Sequence, residues 1–154
     1  MPLLLSTQQL TQIHHHLQSV YPHEGCGILL GTIEPDHILV HQVIETSNIW
    51  HNTSETDRSK RDRYEIDPQD MLKAMKYARQ NQLEIIGIYH SHPDHPAIPS
   101  ECDRQLAWAQ YIYLICSLDR GLISATTAWQ LDDSQQFQPF PLISNEISSN
   151  IANH

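Results

Sequence analysis

Hydrophobic and polar residues along the chain follow patterns that predict alternating helices and strands. Apolar side chains recur at helical spacing between Thr7 and Val20, with Ser6 or Thr7 as a candidate N-cap. The glycine-bounded apolar run Cys26–Gly31 predicts a buried strand. His37–Ile44 alternates in the manner of a half-buried strand and is expected to form a hairpin with it.

A second helix is predicted to begin after Asp67, which is a good N-cap, with Pro68 at the first helical position. It is expected to end near Gln82. Its apolar stripe, which should face the sheet, comprises Met71, Leu72, Met75 and Ala78.

Four more strands and a third helix are expected in the second half of the chain. They are strand Leu83–His90, helix Ser100–Gln110, and strands Tyr111–Ser117, Leu122–Leu131 and Phe137–Ile143. Helices mixed with strands predict one α/β (α+β) domain over residues 1–143, with a central, mostly antiparallel sheet. Residues 144–154 are polar and are expected to form a C-terminal tail.

Composition excludes several classes of function. Eighteen acidic against nine basic residues give a net charge of −9, which argues against a nucleic-acid partner. The chain has no apolar run of the roughly 18 residues that a membrane span needs, and no signal-peptide pattern at its start. Three cysteines without paired spacing (Cys26, Cys102, Cys116) predict reduced thiols. We therefore expect a cytoplasmic protein that does not bind membranes.

Eleven histidines are many for 154 residues, so the question is which of them converge. The triplet His14-His15-His16 lies in the first predicted helix, where consecutive residues point in different directions, and we expect a solvated face. The polar stretch Thr46–Tyr64 lacks periodicity, and a loop of this length is usually functional or mobile.

The segment from His90 to Asp103 carries the strongest chemical signal. His90 and His92 are two residues apart at the end of a predicted strand, so their imidazoles project from the same face. Prolines then stop the strand, and Asp103 lies in the first turn of the next predicted helix. Two histidines and a carboxylate would leave one zinc position open for water, which is typical of a catalytic site.

Simpler interpretations of these residues remain open. A His-x-His pair at a strand end is a weak signal, and Ser100 with Asp103 also fits a capping box at a helix start. His95 is a competing ligand, although its spacing and its position between prolines favour a loop residue at the mouth of the site.

The full pattern resembles the signature of the JAMM (MPN-type) zinc metalloproteases. It comprises His90-Ser91-His92, seven residues, Ser100, two residues and Asp103, with Glu24 upstream, just before a buried strand. Every position of the motif is filled, and the similarity runs from about Ser6 to Ile143. The resemblance implies a deaminase-like fold with a mixed sheet, as in small, stand-alone prokaryotic members.

The resemblance also implies roles for these residues. His90, His92 and Asp103 would hold one zinc ion per chain, and Glu24 would take a proton from the zinc-bound water and pass it to the leaving amine. Ser100 would donate a hydrogen bond to the oxyanion. Strand alternation places Ser91 on the opposite face from the two histidines, where it should serve in packing or support the residues that bind the metal.

The family cleaves peptide or isopeptide bonds at the C-terminal glycine of ubiquitin-like proteins. For a short chain such as this one, the resemblance implies a ubiquitin-like or sulfur-carrier partner with a Gly-Gly tail, and leaves a homodimer open. The alternative is a zinc-bearing binding or scaffold module for such a partner. A zinc deaminase is disfavoured because its Cys-x-x-Cys is missing, and no feature marks Cys26 or Cys102 as the nucleophile of a cysteine peptidase.

Overall fold

A single mixed sheet organises the computed structural model, which describes residues 1–51 and 60–144. The strands are β1 (Leu3–Leu5), β2 (Cys26–Ile33), β3 (Ile38–Thr46), β4 (Glu84–Pro93), β5 (Ile112–Asp119), β6 (Leu122–Leu131), β7 (Phe137–Phe140) and β8 (Leu142–Ser144). The helices are α1 (Thr7–Val20), α2 (Pro68–Gln80) and α3 (Glu101–Leu106).

Within the described residues, the eight strands lie in the order β7-β6-β5-β4-β2-β3-β1-β8. The pairs β4–β5, β1–β3 and β1–β8 are parallel, whereas the other four neighbouring pairs are antiparallel. The predicted α+β class, with a mixed and mostly antiparallel sheet flanked by helices, is confirmed.

Strand alternation divides the core between the two faces of the sheet. Leu29 of β2 and Tyr89 of β4 belong to the cluster that includes the buried face of α1. Ile28 and Ile88, their neighbours in sequence, belong to the cluster that includes α2. Because side chains alternate along a strand, the positions two and four residues after Ile88 also project toward the α2 face.

Helix α1 has the predicted bounds and begins with a capping box. Ser6 Oγ accepts a hydrogen bond from the Gln9 N–H, and Gln9 Oε1 accepts one from the Ser6 N–H. The expected solvated face is wrong for two of its three histidines. His14 Nε2 lies 2.9 Å from Thr126 Oγ1 and His16 Nδ1 lies 2.7 Å from Tyr89 Oη, and burial lowers the pKa of both imidazoles.

The predicted apolar stripe of α2 is partly wrong. Its buried residues are Ala74 and Ala78, whereas Leu72 and Met75 are each 52% exposed. Because the two alanines are four residues apart, they form one face of the helix with little side-chain bulk. Helix α2 packs on the sheet through this face, and not through the neighbouring face that carries the larger side chains.

Apart from shifts of one to three residues at the ends of β2 to β5 and of α2, three further features differ from the expectation. Strand β1 was not predicted, because a three-residue strand carries no usable periodicity. The segment Phe137–Ile143 is two strands, β7 and β8, at opposite edges of the sheet. Helix α3 is shorter than predicted because Ala107 is extended and the Trp108 N–H donates to Tyr113 Oη instead of continuing the helix.

Parts of two predicted segments lie outside the described residues, namely 52–59 of the Thr46–Tyr64 loop and 145–154 of the predicted tail. Ser144, the first residue of that tail, lies in β8. Within residues 1–51 and 60–144, no helix is both long and apolar enough to cross a lipid bilayer.

Candidate metal centre

The two histidines of the motif lie at the carboxyl end of β4, which continues through Pro93. His90 and His92 are 0% and 8% exposed, and their ring centroids are 5.2 Å apart. Both project from the α2 face, as the two-residue spacing predicts. Tyr64 covers His90 by stacking on its ring, with the centroids 4.5 Å apart.

The loop that follows β4 is held at three consecutive carbonyl groups. The carbonyl oxygens of residues 95–97 accept hydrogen bonds, in order, from Ser117 Oγ, His92 Nδ1 and Thr127 Oγ1. A carbonyl can only accept, so the proton of neutral His92 must be on Nδ1, 2.8 Å from the Pro96 oxygen. The Nε2 lone pair is left for a metal ion, an arrangement that orients many metal-binding histidines.

Asp103 combines the two interpretations that the sequence left open. Ser100 Oγ accepts a hydrogen bond from the Asp103 N–H, and Asp103 Oδ2 accepts one from the Ser100 N–H, so the capping box exists. The same Oδ2 lies 3.0 Å from His92 Nε2, and Oδ1 lies 3.8 Å from His90 Nε2. The cap therefore presents the carboxylate to both imidazoles.

Electrostatics favour a charged Asp103. Its partial burial would raise the pKa of the carboxyl, but the nearby imidazoles of His90 and His92 and the Ser100 N–H outweigh this and hold the pKa well below its usual range. Burial would likewise lower the pKa of His90, yet attraction to Asp103 and Glu24 raises it. A compact positive charge between these groups would be stabilised by the same carboxylates.

Glu24 lies two residues before the start of β2, and its side chain extends from there into the site. Its side chain is buried, and Oε1 lies 3.3 Å from His90 Nδ1. Burial raises the pKa of the carboxyl, against the opposing influence of His90. Ser91 is buried on the opposite face of β4, as predicted, where its Oγ accepts a hydrogen bond of 2.8 Å from the Gly25 N–H.

Unsatisfied polar atoms test whether a metal ion fits. Among the described residues, four buried side-chain atoms have no hydrogen-bond partner: Glu24 Oε1, His90 Nδ1 and His90 Nε2, which belong to this site, and Arg63 Nε. Buried polar atoms of this kind are rare and call for a missing ligand or ion. One donor atom from each of Glu24, His90 and His92 lies within 4.8 Å of the others. The predicted ligand Asp103 is not part of this group, but its Oδ1 and Oδ2 lie 3.8 Å from His90 Nε2 and 3.0 Å from His92 Nε2. The nitrogen and carboxylate donors fit a metal ion such as zinc.

A cleft of about 360 Å³ opens onto these groups. It brings Ser100 to the same cavity as the candidate metal ligand His92 and places His95 at the mouth, as predicted. Its lining residues are Glu24, Arg61, Asp62, His92, His95, Pro96, Ile98 and Ser100. Of the predicted site residues, Glu24, His92 and Ser100 line the cleft, whereas His90 and Asp103 do not line it and contact Glu24 and His92.

Sequence reasoning missed the residues that close the site from the other side. Arg61 and Asp62 line the cleft, and Tyr64 covers His90. All three belong to the Thr46–Tyr64 stretch, whose length indicated a functional or mobile loop, but the sequence pattern could not place its individual residues at the site.

Comparison with known proteins identifies the family. Residues 6–132 match the family model described as prokaryotic homologs of the JAB domain. The chain belongs to this JAB family. The predicted resemblance to JAMM (MPN-type) proteins is therefore confirmed.

Relatives of this JAB-family chain include two curated proteins. It is 33% identical to the desampylase of Haloferax volcanii over 99 residues, which are 64% of this chain and 65% of that protein. It is 34% identical to the probable TtuB-protein conjugate cleaving protease of Thermus thermophilus over 110 residues, which are 71% of this chain and 66% of that protein. The chain thus spans just under two thirds of the length of each.

The JAB-family fold extends over almost all of the chain. The solution structure of a protein from Desulfitobacterium hafniense superposes with a TM-score of 0.78 at 28% sequence identity. The superposition covers 94% of this chain and 93% of that one.

Proposed function

We propose that the protein is a zinc-dependent hydrolase that cleaves a peptide or isopeptide bond at the C-terminal glycine of a ubiquitin-like or sulfur-carrier protein. One observation carries the proposal. Glu24, His92 and Ser100, from three separate parts of the chain, line one cleft, and His90 and Asp103 contact Glu24 and His92, with polar atoms of Glu24 and His90 buried and unsatisfied.

His90, His92 and Asp103 would hold the zinc ion, one per chain. When bound in such a site, zinc acidifies a water molecule to a pKa near 7 and polarises the carbonyl of the scissile bond. The Nδ1–H of His92 is engaged by the Pro96 carbonyl, so this ring offers Nε2 in a fixed orientation. The capping box fixes Asp103 in the same way.

Glu24 would act as the general base and then as the general acid. Burial raises the pKa of the Glu24 carboxyl toward neutral pH. A group with a pKa nearer to neutral pH can both accept a proton and return it. It would take a proton from the attacking water and transfer it to the amine that leaves, so that water adds across the amide bond and no other reactant is consumed.

Ser100 can serve the helix and the reaction together. Its Oγ uses a lone pair to accept the Asp103 N–H, which leaves the hydroxyl proton available for another acceptor. The residue is exposed and lines the cleft. We propose that this proton is donated to the oxygen anion that develops at the scissile carbonyl.

The names of the relatives support the choice of substrate. One is called a desampylase and the other a probable TtuB-protein conjugate cleaving protease, and both names describe removal of a protein modifier. We propose that this chain acts on a comparable conjugate, whose extended tail reaches the cleft by strand addition.

The described structure has no disulfide, which fits a cytoplasmic location.

The tail of the substrate is expected to decide whether it is cleaved. A conjugate with Gly-Gly before the scissile bond should be hydrolysed, because a backbone without side chains can follow a narrow path to the metal. The same conjugate with Leu-Leu there should be cleaved at least about 100-fold more slowly, a difference of about 2.7 kcal/mol. Initial rates of both, followed by mass spectrometry, test this. Equal cleavage of both, and of unfolded casein, would indicate an unspecific peptidase instead.

Ser100→Ala is expected to lose both stability and turnover. Loss of the cap should cost about 1 kcal/mol of unfolding free energy. Loss of the oxyanion donor should lower kcat by about 10²–10³-fold. Ser6→Ala is a matched control, because Ser6 caps α1 with the same capping-box geometry away from the cleft. Both variants should melt at lower temperature, and only Ser100→Ala should lose kcat. Normal turnover of zinc-loaded Ser100→Ala would refute the oxyanion role.

A further inference from the structure

The side-chain amide of Asn48, two residues beyond β3, uses its full hydrogen-bonding capacity. Nδ2 donates to the carbonyl oxygens of Glu24, at 3.0 Å, and Arg63, at 2.9 Å. Oδ1 accepts from the backbone N–H groups of Trp50 and Glu65, both at 3.0 Å. An amide has two N–H donors and two oxygen lone pairs, so this half-buried side chain is saturated.

These bonds connect three stretches of backbone. Asn48 also forms an isolated β-bridge with Ile66, and the Ile49 N–H donates to the Glu65 carbonyl at 3.0 Å. Residues 48–49 therefore pair with residues 65–66. The Asn48 amide ties both of these stretches to the carbonyl of Glu24, and the Glu24 N–H donates to the Lys60 carbonyl.

Glu24 needs such a contact because it precedes the sheet. The register of β2 with β4 begins at Cys26, opposite His90, so no ladder hydrogen bond fixes the carbonyl of Glu24. Ser91 holds this peptide group and the next one from the β4 side: its Oγ accepts the Gly25 N–H at 2.8 Å, and its own N–H donates to the Gly25 carbonyl at 3.1 Å. Asn48 holds the Glu24 carbonyl from the other side.

We infer that Asn48 is a positioning residue for the general base. It sets the backbone of Glu24, and Ser91 sets that of Gly25, so that the Glu24 carboxylate reaches the site of His90 in one orientation. The inference rests on the proposed function, in which Glu24 moves the proton. Neither His90 nor His92 is a hydrogen-bond partner of the Asn48 side chain. Replacement of Asn48 should therefore change the rate of the reaction and not the binding of the metal ion.

Asn48→Asp tests the role, because it keeps an oxygen acceptor for Trp50 and Glu65 and removes the donors to Glu24 and Arg63. The variant should bind zinc at the wild-type level and keep KM within about 3-fold, while kcat falls by about 10- to 100-fold, since small misplacements of a catalytic group have effects of this size. Asn81→Asp is the matched control. It removes an exposed Nδ2 donor to the Tyr77 carbonyl at the end of α2, and kcat should not change.

A double-mutant cycle separates positioning from general loss of structure. If Asn48 acts through Glu24, adding Asn48→Asp to Glu24→Gln should lower the remaining turnover by less than about 2-fold. If the two effects multiply, Asn48 acts independently of Glu24 and the inference is overturned. If the carboxylate introduced by Asn48→Asp prevents folding, Asn48→Ala, which removes the amide without adding a charge, is used in the same measurements.

Amide hydrogen exchange provides a measurement that does not require activity. In folded Asn48→Asp or Asn48→Ala, the Gly25 amide should exchange at least about 10-fold faster, because its peptide group has lost the hydrogen bond from Asn48 to the Glu24 carbonyl. The Tyr89 amide, within β4, should keep its wild-type rate. Wild-type exchange at Gly25 together with wild-type kcat would overturn the inference. If wild-type protein with full zinc hydrolyses no conjugate, the proposed function fails, and exchange at Gly25 still decides whether Asn48 positions this segment.

Discussion

Glu24→Gln is expected to retain the metal ion and the fold while hydrolysis falls by about 10²–10⁴-fold. The substitution preserves the size of the side chain but removes its ability to accept a proton. The backbone contacts of Glu24, through Asn48 and Lys60, do not involve the carboxylate and should be kept, whereas its 3.3 Å contact with His90 Nδ1 is the one that zinc content must check.

The stability of this variant should not decrease. The wild-type carboxylate is buried and burial raises its pKa, so its charge is unfavourable in the absence of a metal ion. Glu84→Gln is the matched control, since Glu84 is exposed at the opposite end of β4. Zinc content, melting temperature and kcat should be measured on the same samples. A Glu24→Gln variant with more than about a tenth of wild-type kcat would exclude Glu24 as the base.

Replacement of a metal ligand should have the second large effect. His90→Ala, His92→Ala and Asp103→Ala should each reduce bound zinc from close to one per chain to a small fraction, because a site with three protein ligands tolerates the loss of one poorly. Hydrolysis should disappear with the metal. Chelation of the wild type should do the same, and added zinc should restore its activity.

His95→Ala is the control for this series. His95 is the competing ligand in the sequence, but it lies exposed at the mouth of the cleft, where its carbonyl accepts the Ser117 hydroxyl. The His95→Ala variant should bind zinc at the wild-type level. Metal content by elemental analysis, with circular dichroism to verify folding, decides the assignment. Full zinc occupancy in the three ligand variants would contradict it, and loss in His95→Ala would place that residue in the site.

The local parts of this site could be predicted from the sequence. The period of a strand places His90 and His92 on one face, and the capping-box pattern of Ser100 and Asp103 predicts where α3 begins. Both arguments concern residues within fourteen positions of each other. The structure shows that the capping and metal-site interpretations of Asp103 are compatible, because Oδ2 faces the Ser100 N–H and His92 Nε2 together.

Long-range partners could not be predicted in this way. Glu24 meets His90 only because β2 pairs with β4, and nothing near Glu24 in the sequence distinguishes it from a solvated carboxylate. Its role came from the family resemblance. The contacts of Asn48 and Tyr64 depend on where residues 63–66 lie against the sheet, which no periodicity predicts.

Errors in the predicted fold have the same origin. Periodicity places Met75 on an apolar stripe, but which face of α2 packs depends on the sheet beneath it, and the sheet contacts Ala74 and Ala78. Likewise, Phe137–Ile143 has the composition of one strand, yet its two halves pair with β6 and β1 at opposite edges.

The most direct test of the account is hydrolysis of an isopeptide-linked conjugate with a Gly-Gly tail in water enriched in ¹⁸O. The zinc-loaded protein should release the carrier with one ¹⁸O atom in its new glycine carboxylate and a free amine on the other product, and chelated protein should release neither. Mass spectrometry of the carrier's terminal peptide measures both the cleavage position and the incorporated oxygen. A conjugate that is bound at full zinc occupancy and stays intact would contradict the proposed hydrolase and support a zinc-bearing binding module instead.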